Sequence, residues 1–314
     1  MQEVPQLQID DEALEKLIRA GDIARRALEH GRSLIKPGAT ARAICVEVEN
    51  YIRSQGAYPA FPCNFSVDHV AAHYTPGTSD DVELSQESVV KLDIGVSVDG
   101  YIADTALTVD LSGRHQELLE ASREALEAVI KRLKPGISLY EIGKTVESRI
   151  RRRGFKVIRN LTGHTIARHM IHAGLSIPNY PDRTVFYKRL QPGTQAAIEP
   201  FATNGRGMVV EGGVTNIYAY TGRRPRKGLN DDEKKLLDVI VDRFLTLPFT
   251  PRWLVDLMDP QDLEHLVRSL VAKGVLHDYP ILVEAGRGLV SQHEHTVVIL
   301  KDRVLVTTCK DCQG

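Results

Sequence analysis

The stretch Val89-Val-Lys-Leu-Asp93-Ile-Gly-Val-Ser-Val98-Asp99-Gly100-Tyr101-Ile-Ala-Asp104-Thr-Ala-Leu-Thr-Val109 decides how this chain is read. Two runs rich in β-branched residues flank Asp99-Gly100, the strongest short signal for a two-residue hairpin turn. Pairing about that turn matches residue i with 199 − i, so Asp93 falls opposite Ala106. Asp104, two residues from Ala106, then leaves the same face as Asp93. The two carboxylates become diagonal neighbours among Leu92, Ile94, Ala103 and Ala106. Buried like charges repel strongly unless a cation or a proton lies between them. A solvated polar face is the competing reading, weakened because Asp is depleted in strands.

Outward from the hairpin, an internal repeat organises most of the chain. Lys36-Pro-Gly-Ala-Thr40 recurs as Lys134-Pro-Gly-Ile-Ser138, an offset of 134 − 36 = 98. The same offset links Ile44/Ile142, Val48/Val146, Glu49/Glu147, Ile52/Ile150 and Gly56/Gly154, and, upstream, Arg25/Arg123, Ala27/Ala125, Leu28/Leu126 and Glu29/Glu127. Each copy reads as two helices around a Pro-Gly turn. Thr40 and Ser138 are suitable N-caps, the apolar residues recur at i, i+4 and i+8, and Gly56 and Gly154 suit the left-handed residue past a helix end. Strands follow each copy. In the second half they are Gln195-Ala-Ala-Ile-Glu199-Pro-Phe-Ala-Thr203 and Gln292-His-Glu294-His-Thr-Val-Val-Ile-Leu300. Two copies of helix–helix–hairpin predict an α+β fold, an antiparallel sheet covered by helices.

The second hairpin is interrupted. Asp93 and Asp104 are 11 residues apart and Glu199 and Glu294 are 95 apart, an excess of 84. That is too long for a connection without its own structure. It predicts a helix from about Asp231 capped by Asn230, and another from Pro260, capped by Asp259 and stopping at Gly274. We therefore expect a core of residues 1–217 and 285–314 with a helical subdomain inserted at 218–284.

The repeat also multiplies the acids. Each half puts one carboxylate in its first strand, Asp93 and Glu199, and Glu294 begins the returning strand as Asp104 does. Four acids meeting at a pseudo-twofold axis need about two divalent cations to neutralise them. Histidines are at hand: His73 in the first half, and His164, His169 and His172 in the second. An acid-rich set with one or two imidazoles suits Mn, Fe, Co or Zn rather than a thiolate site. Two such ions ~3.5–4 Å apart lower the pKa of a shared water and polarise a carbonyl. Hydrolysis of an amide or of a phosphate ester follows, and spacing does not choose between them.

Composition narrows the setting. The 314 residues carry 40 Lys+Arg against 41 Asp+Glu, a formal net charge of −1, with 42% hydrophobic and 26% charged residues. This excludes a disordered tail, a collagenous chain and a strongly basic nucleic-acid binder. No apolar run approaches the ~18 residues of a membrane span, and Met1 to Gln6 lacks the pattern of a signal peptide. Four cysteines form no disulfide framework, so a reducing cytoplasm is expected, with Cys309 and Cys312 in a surface tail that has no site.

The segments Ala71-Ala-His-Tyr-Thr-Pro76, Lys91-Leu-Asp-Ile-Gly95, Asp99-Gly-Tyr-Ile-Ala-Asp104, Asn160-Leu-Thr-Gly-His164, Ile198-Glu-Pro200 and Glu294-His-Thr296 resemble, in order, the successive motifs of the methionine aminopeptidases. The resemblance covers nearly the whole chain and implies the pseudo-twofold pita-bread fold. The insertion resembles the helical subdomain of the type 2 enzymes, and the short N-terminal region resembles archaeal members. It further implies Asp93 as a ligand of one metal ion, Asp104 and Glu294 as bridges, and His164 and Glu199 as ligands of the other. Glu199 would be general base on a bridging water, His172 would contact the substrate carbonyl, and His73 would orient the scissile peptide. Phe61 and Ile171 match positions lining the methionine pocket. Some relatives have a histidine where Thr215-Asn-Ile-Tyr218 stands here. The implied partners are nascent polypeptide N-termini at the ribosome, with no membrane and no specific nucleic acid, and the expected state is a monomer. Cleavage of N-terminal methionine before a small second residue is the expected activity.

Two other readings compete. An Xaa-Pro peptidase would carry similar ligands, but the segment at 71–76 and the 84-residue excess favour the type 2 enzyme. A metal-free relative that binds ribosomes or RNA would draw on Arg151-Arg-Arg153 and Arg223-Arg-Pro-Arg-Lys227. Such short charge runs are more often solvated faces, and that binder would be expected to have lost ligands.

Overall fold

The computed structural model describes residues 9–223 and 228–312. Residues 224–227 of the second arginine-rich run, and Met1 to Gln6, lie outside them. Helices α1 (Asp11–Leu34) and α2 (Ala41–Ser54) form the first pair; α3 (Gln116–Ile130) and α4 (Leu139–Arg152) form its repeat. The turn glycines repeat in conformation too, Gly38 and Gly136 at φ 80° and 79°, and Gly56 and Gly154 at 69° and 81°. Thr40 caps α2 by accepting the Ala43 N–H. Ser138 departs from the expectation: its hydroxyl donates to the Phe186 carbonyl instead and makes no cap bond. The backbone there is already held by pairing of Ile137–Ser138 with Arg189–Leu190.

Each helix pair buries one apolar face on its own strands. Ile23, Ala27, Ile44, Val48 and Ile52 pack on Phe65, Leu92, Ile94 and Val96. Leu118, Ala125, Ile142, Val146 and Ile150 pack on Ala196, Ile198, Val297 and Ile299. Removing that apolar surface from water is the main force holding helices to sheet.

The decisive hairpin has the expected register: Val89–Val98 pairs antiparallel with Tyr101–Asp110, Asp93 opposite Ala106. Asp99 (φ 52°) and Gly100 (φ 86°) both occupy the left-handed region, as a type I′ turn demands. The strand Tyr58–Val67 completes this sheet on the far side of Val89–Val98. In the second half, Gln195–Ile198 pairs with both His295–Ile299 and Thr162–Ile166. The expected run 195–203 is two strands, Gln195–Ile198 and Phe201–Thr203, with Glu199-Pro200 between them. Pro200 has no N–H for a ladder, so the strand breaks there.

The two halves join along a seam across the pseudo-axis. Thr296 Oγ1 accepts the Asp104 N–H and donates to the Asp104 carbonyl, both at 2.8 Å. The Glu294 N–H donates to the Ala106 carbonyl at 3.0 Å, and Thr105 Oγ1 donates to the Glu294 carbonyl at 2.8 Å. A strand of each half is thereby locked to the other at the two acids.

Within the insertion, α5 (Asp231–Phe244) starts with a capping box between Asn230 and Glu233, and α6 (Pro260–Ala272) is capped by Asp259. Their apolar faces form a separate core around Leu236, Ile240, Phe249, Leu263, Val267 and Leu270. The end of the segment expected to be helical is a strand, Leu276–Glu284, paired with Val209–Tyr220 and Val70–Ala72.

The segment carrying α5 and α6 is tied to the first half by a buried ion pair. Glu49 on α2 accepts both Arg252 guanidinium nitrogens at 2.9 Å, the Trp253 indole N–H at 2.7 Å and the Cys63 N–H at 3.2 Å. Both side chains are buried. Removing one member of a buried pair strands the other's charge. Arg252→Ala therefore lowers unfolding free energy by roughly 3 kcal/mol, read from the denaturant midpoint. A change under about 0.5 kcal/mol, the size of a surface substitution, would contradict this.

The C-terminal tail corrects one expectation. Cys309 and Cys312 are joined by a disulfide and pack, half-buried, on the second half's core. Arg151–Arg153 lies at the end of α4, where Arg153 is paired with Glu117 and Glu124 and Arg151 with Glu147.

Candidate metal centre

All nine residues singled out from the sequence, Phe61, His73, Asp93, Asp104, His164, Ile171, His172, Glu199 and Glu294, line one cavity of about 350 Å³. Asp93 and Asp104 reach it from the first hairpin, His164 from Thr162–Ile166, Glu199 from the break before Pro200, and Glu294 from the seam. His169 is not among them: its N–H donates to the Gly100 carbonyl at 2.8 Å, against the hairpin turn.

The acids and the imidazole converge. His164 Nε2 stands 3.6 Å from Asp104 and 3.5 Å from Glu199, and ligating atoms of Asp104, His164 and Glu294 lie within 4.8 Å of one another. Gln292, unnoticed in the sequence, donates from Nε2 toward Glu294 (3.2 Å), Asp93 (3.3 Å) and Glu199 (3.5 Å). It sits two residues before Glu294, and strand alternation could have placed both on one face.

One amide cannot satisfy this many oxygens. One oxygen each of Asp93, Asp104 and Glu294 is buried with no hydrogen-bond partner. Such groups cost roughly 1–3 kcal/mol each, more when charged. Burial, first of all, pushes all four carboxyls up, Asp93 to about 7. Charge repulsion adds to this at Asp104, from Asp93; at Glu199, from Asp104 and Asp93; and at Glu294, from all three others. Orphaned hard oxygens beside one imidazole fit divalent cations, whose charge would relieve both penalties.

The histidines are neutral. Burial lowers His164 and His73 to about 4 and His172 well below 6.5. His73 sits at φ 65°, its Nδ1 3.3 Å from the Pro280 carbonyl, so that nitrogen carries the proton and Nε2 is free. His172 packs edge-on to His164, ring centroids 4.4 Å apart.

Tyr279, also missed, packs edge-on to His73 at 5.7 Å and lines the cavity. It lies on Leu276–Glu284, the strand hidden inside the segment expected to be helical. From the segment 215–218, Ile217 lines the cavity, as does Pro248. Asn216 turns away to donate to the Thr75 carbonyl at 3.0 Å. Opposite, Phe61 and Ile171 belong to an apolar cluster with Ala60, Ile102, Ile166, Ala197 and Leu247. Gly95 makes room for it, since a Cβ there would stand 2.3 Å from the Phe61 ring.

Residues 15–231 match metallopeptidase family M24. The chain is 45% identical over 300 residues to a methionine aminopeptidase of Saccharolobus solfataricus, covering 95% of this chain and 98% of that one. Among solved structures, a thermophilic Arx1 superposes with a TM-score of 0.85 at 19% identity, over 97% of this chain and 93% of that one. The methionine aminopeptidase of Rickettsia prowazekii superposes with a TM-score of 0.69 at 21% identity, over 96% and 98%. At these identities the superpositions speak for the fold alone.

Proposed function

The chain belongs to metallopeptidase family M24, as a type 2 methionine aminopeptidase with the pita-bread fold, and we propose that Asp93, Asp104, His164, Glu199 and Glu294 hold two divalent ions for the reaction. It is a metal-dependent hydrolase that removes N-terminal methionine. The observation that carries the two-ion reading is the set of orphaned carboxylate oxygens around one imidazole. Mn, Fe, Co or Zn suits this donor set. Bound there, such ions supply Lewis acidity toward a carbonyl oxygen and make water acidic enough to ionise near neutral pH.

The chain's own residues do the rest. Glu199, freed of its proton by cationic charge, accepts one from the attacking water and returns it to the leaving amine. Neutral His172 faces the position of the first carbonyl and donates a hydrogen bond as charge develops on its oxygen. His73, with Nε2 unprotonated, accepts the N–H of the scissile peptide and fixes its orientation. Phe61 and Ile171 bury the unbranched thioether of methionine, and Ile217 closes the opposite wall.

The substrates are then nascent polypeptide N-termini in the cytoplasm, met at the ribosome by a monomer, with 218–284 as the inserted subdomain. No helix among the described residues is long and apolar enough to cross a membrane. Comparing Met-Ala-Ser with Xaa-Pro peptides tests the activity: the expected result is cleavage of Met-Ala-Ser alone, and cleavage of only the Xaa-Pro peptides would overturn it.

A further inference from the structure

A second cluster of ligating atoms lies on the other side of the strand that follows Glu294. His295, Cys309 and Cys312 bring one nitrogen and two sulfurs within 4.8 Å of one another. Consecutive residues of an extended strand leave opposite faces, so Glu294 faces the carboxylate cavity and His295 faces the tail. The tail is held in place there. The Thr307 N–H donates to the Thr296 carbonyl at 3.0 Å, and the Thr296 N–H donates to Thr308 Oγ1 at 3.1 Å. Cys309 is therefore fixed by its neighbour, and the spacing of three to Cys312, Cα atoms 5.5 Å apart, brings the second sulfur back toward the same point. Both cysteines are only half-buried against the second core.

We propose that in the reduced protein Cys309, Cys312 and His295 form a second metal site, a thiolate site for a zinc-like ion, separate from the carboxylate centre. Two thiolates and an imidazole suit a borderline-soft ion with tetrahedral preference, with water as the fourth ligand. His295 Nδ1 lies 2.9 Å from Thr308 Oγ1, and with the ring proton on that nitrogen Nε2 presents its lone pair.

The disulfide and the metal exclude each other, since sulfurs bonded to one another are not thiolates. A dithiol reductant converts one state to the other by thiol–disulfide exchange. It gives up two electrons and two protons, becoming a disulfide itself, and leaves Cys309 and Cys312 as thiols. Metal binding then displaces those two protons to solvent. The site and its redox sensitivity do not depend on the peptidase reading.

Cobalt(II) titration of the full chain under a dithiol-free phosphine reductant reads this out. The expected result is a near-ultraviolet thiolate-to-cobalt charge-transfer band that saturates at one thiolate-bound cobalt per chain, the carboxylate centre taking up further cobalt without adding to the band. The carboxylate centre has no sulfur and cannot produce that band. It should vanish in Cys309→Ser/Cys312→Ser and in oxidised wild-type protein titrated without the phosphine. His295→Ala should weaken cobalt binding about tenfold or more. Absence of the band in reduced wild type overturns the proposal. So does its persistence in the double variant, which would move the metal to the buried pair Cys45 and Cys63.

Discussion

Replacing Glu199 by Gln reduces kcat on Met-Ala-Ser by about 10³-fold or more while the protein stays folded. The amide keeps the size of the side chain and cannot accept a proton, and general base catalysis contributes 10²–10⁴-fold in typical cases. Loss of an anionic ligand beside Asp104 adds to the effect. The main-chain bond of Glu199, whose carbonyl accepts the Asn179 side-chain N–H at 3.0 Å, is kept in the variant, and its side chain makes only long contacts of 3.5 Å to Gln292 and His164. Circular dichroism and the thermal midpoint check folding, and steady-state kinetics check turnover. A variant that keeps activity within tenfold of wild type would remove Glu199 from the role of base.

Stripping the protein of divalent ions abolishes turnover and changes how stability responds to pH. The sign follows from the four buried carboxyls. A carboxyl whose folded pKa is raised costs nothing below its ordinary value, 3.8 for Asp93, and costs progressively more as pH rises to the folded value, about 7. Asp104, Glu199 and Glu294 are raised as well, so their contribution has the same sign. The buried neutral histidines act oppositely on the ion-free protein, since they disfavour the folded state as pH falls below 6.5. The difference between loaded and stripped protein isolates the ligands. The thermal shift produced by Mn or Co is expected to be small near pH 5 and to grow through pH 7, because ions compete with protons for the same oxygens. At a thousandfold excess over Kd the gain is about 4 kcal/mol. Calorimetry at both pH values measures it. A shift that shrinks as pH rises would rule out carboxylates as the ligands.

Local chemistry was the legible part of this molecule. Asp99-Gly100 specified a turn type, the turn specified a register, and the register placed Asp93 and Asp104 on one face. Asn230 and Asp259 announced their helices by side-chain oxygens that accept the first N–H groups. What escaped depends on partners distant in the chain. Tyr279 was hidden because its strand is defined by pairing with Val209–Tyr220 rather than by its own periodicity. Ser138 has the right hydroxyl for a cap, but a carbonyl 48 residues away captures it. The seam at Thr105, Asp104 and Thr296 spans about 190 positions and leaves no local pattern. Even the adjacent pair Glu199-Pro200 reads as strand in the sequence, because its apolar neighbours outweigh one missing N–H, and the ladder breaks there.

The seam also sets an order of events during synthesis. Asp93, Asp104, His164 and Glu199 have all left the ribosome by the time 95 residues remain before Glu294. At about 5–20 residues per second that interval is roughly 5–20 s. For its duration the newborn chain displays a half-built acidic pocket with one wall absent, open to any cation or proton nearby. The insertion is translated and can collapse on its own core in that window. Only when the segment 292–296 docks against Asp104 to Thr108 do the halves close, so the carboxylate pocket gains its last wall late in synthesis.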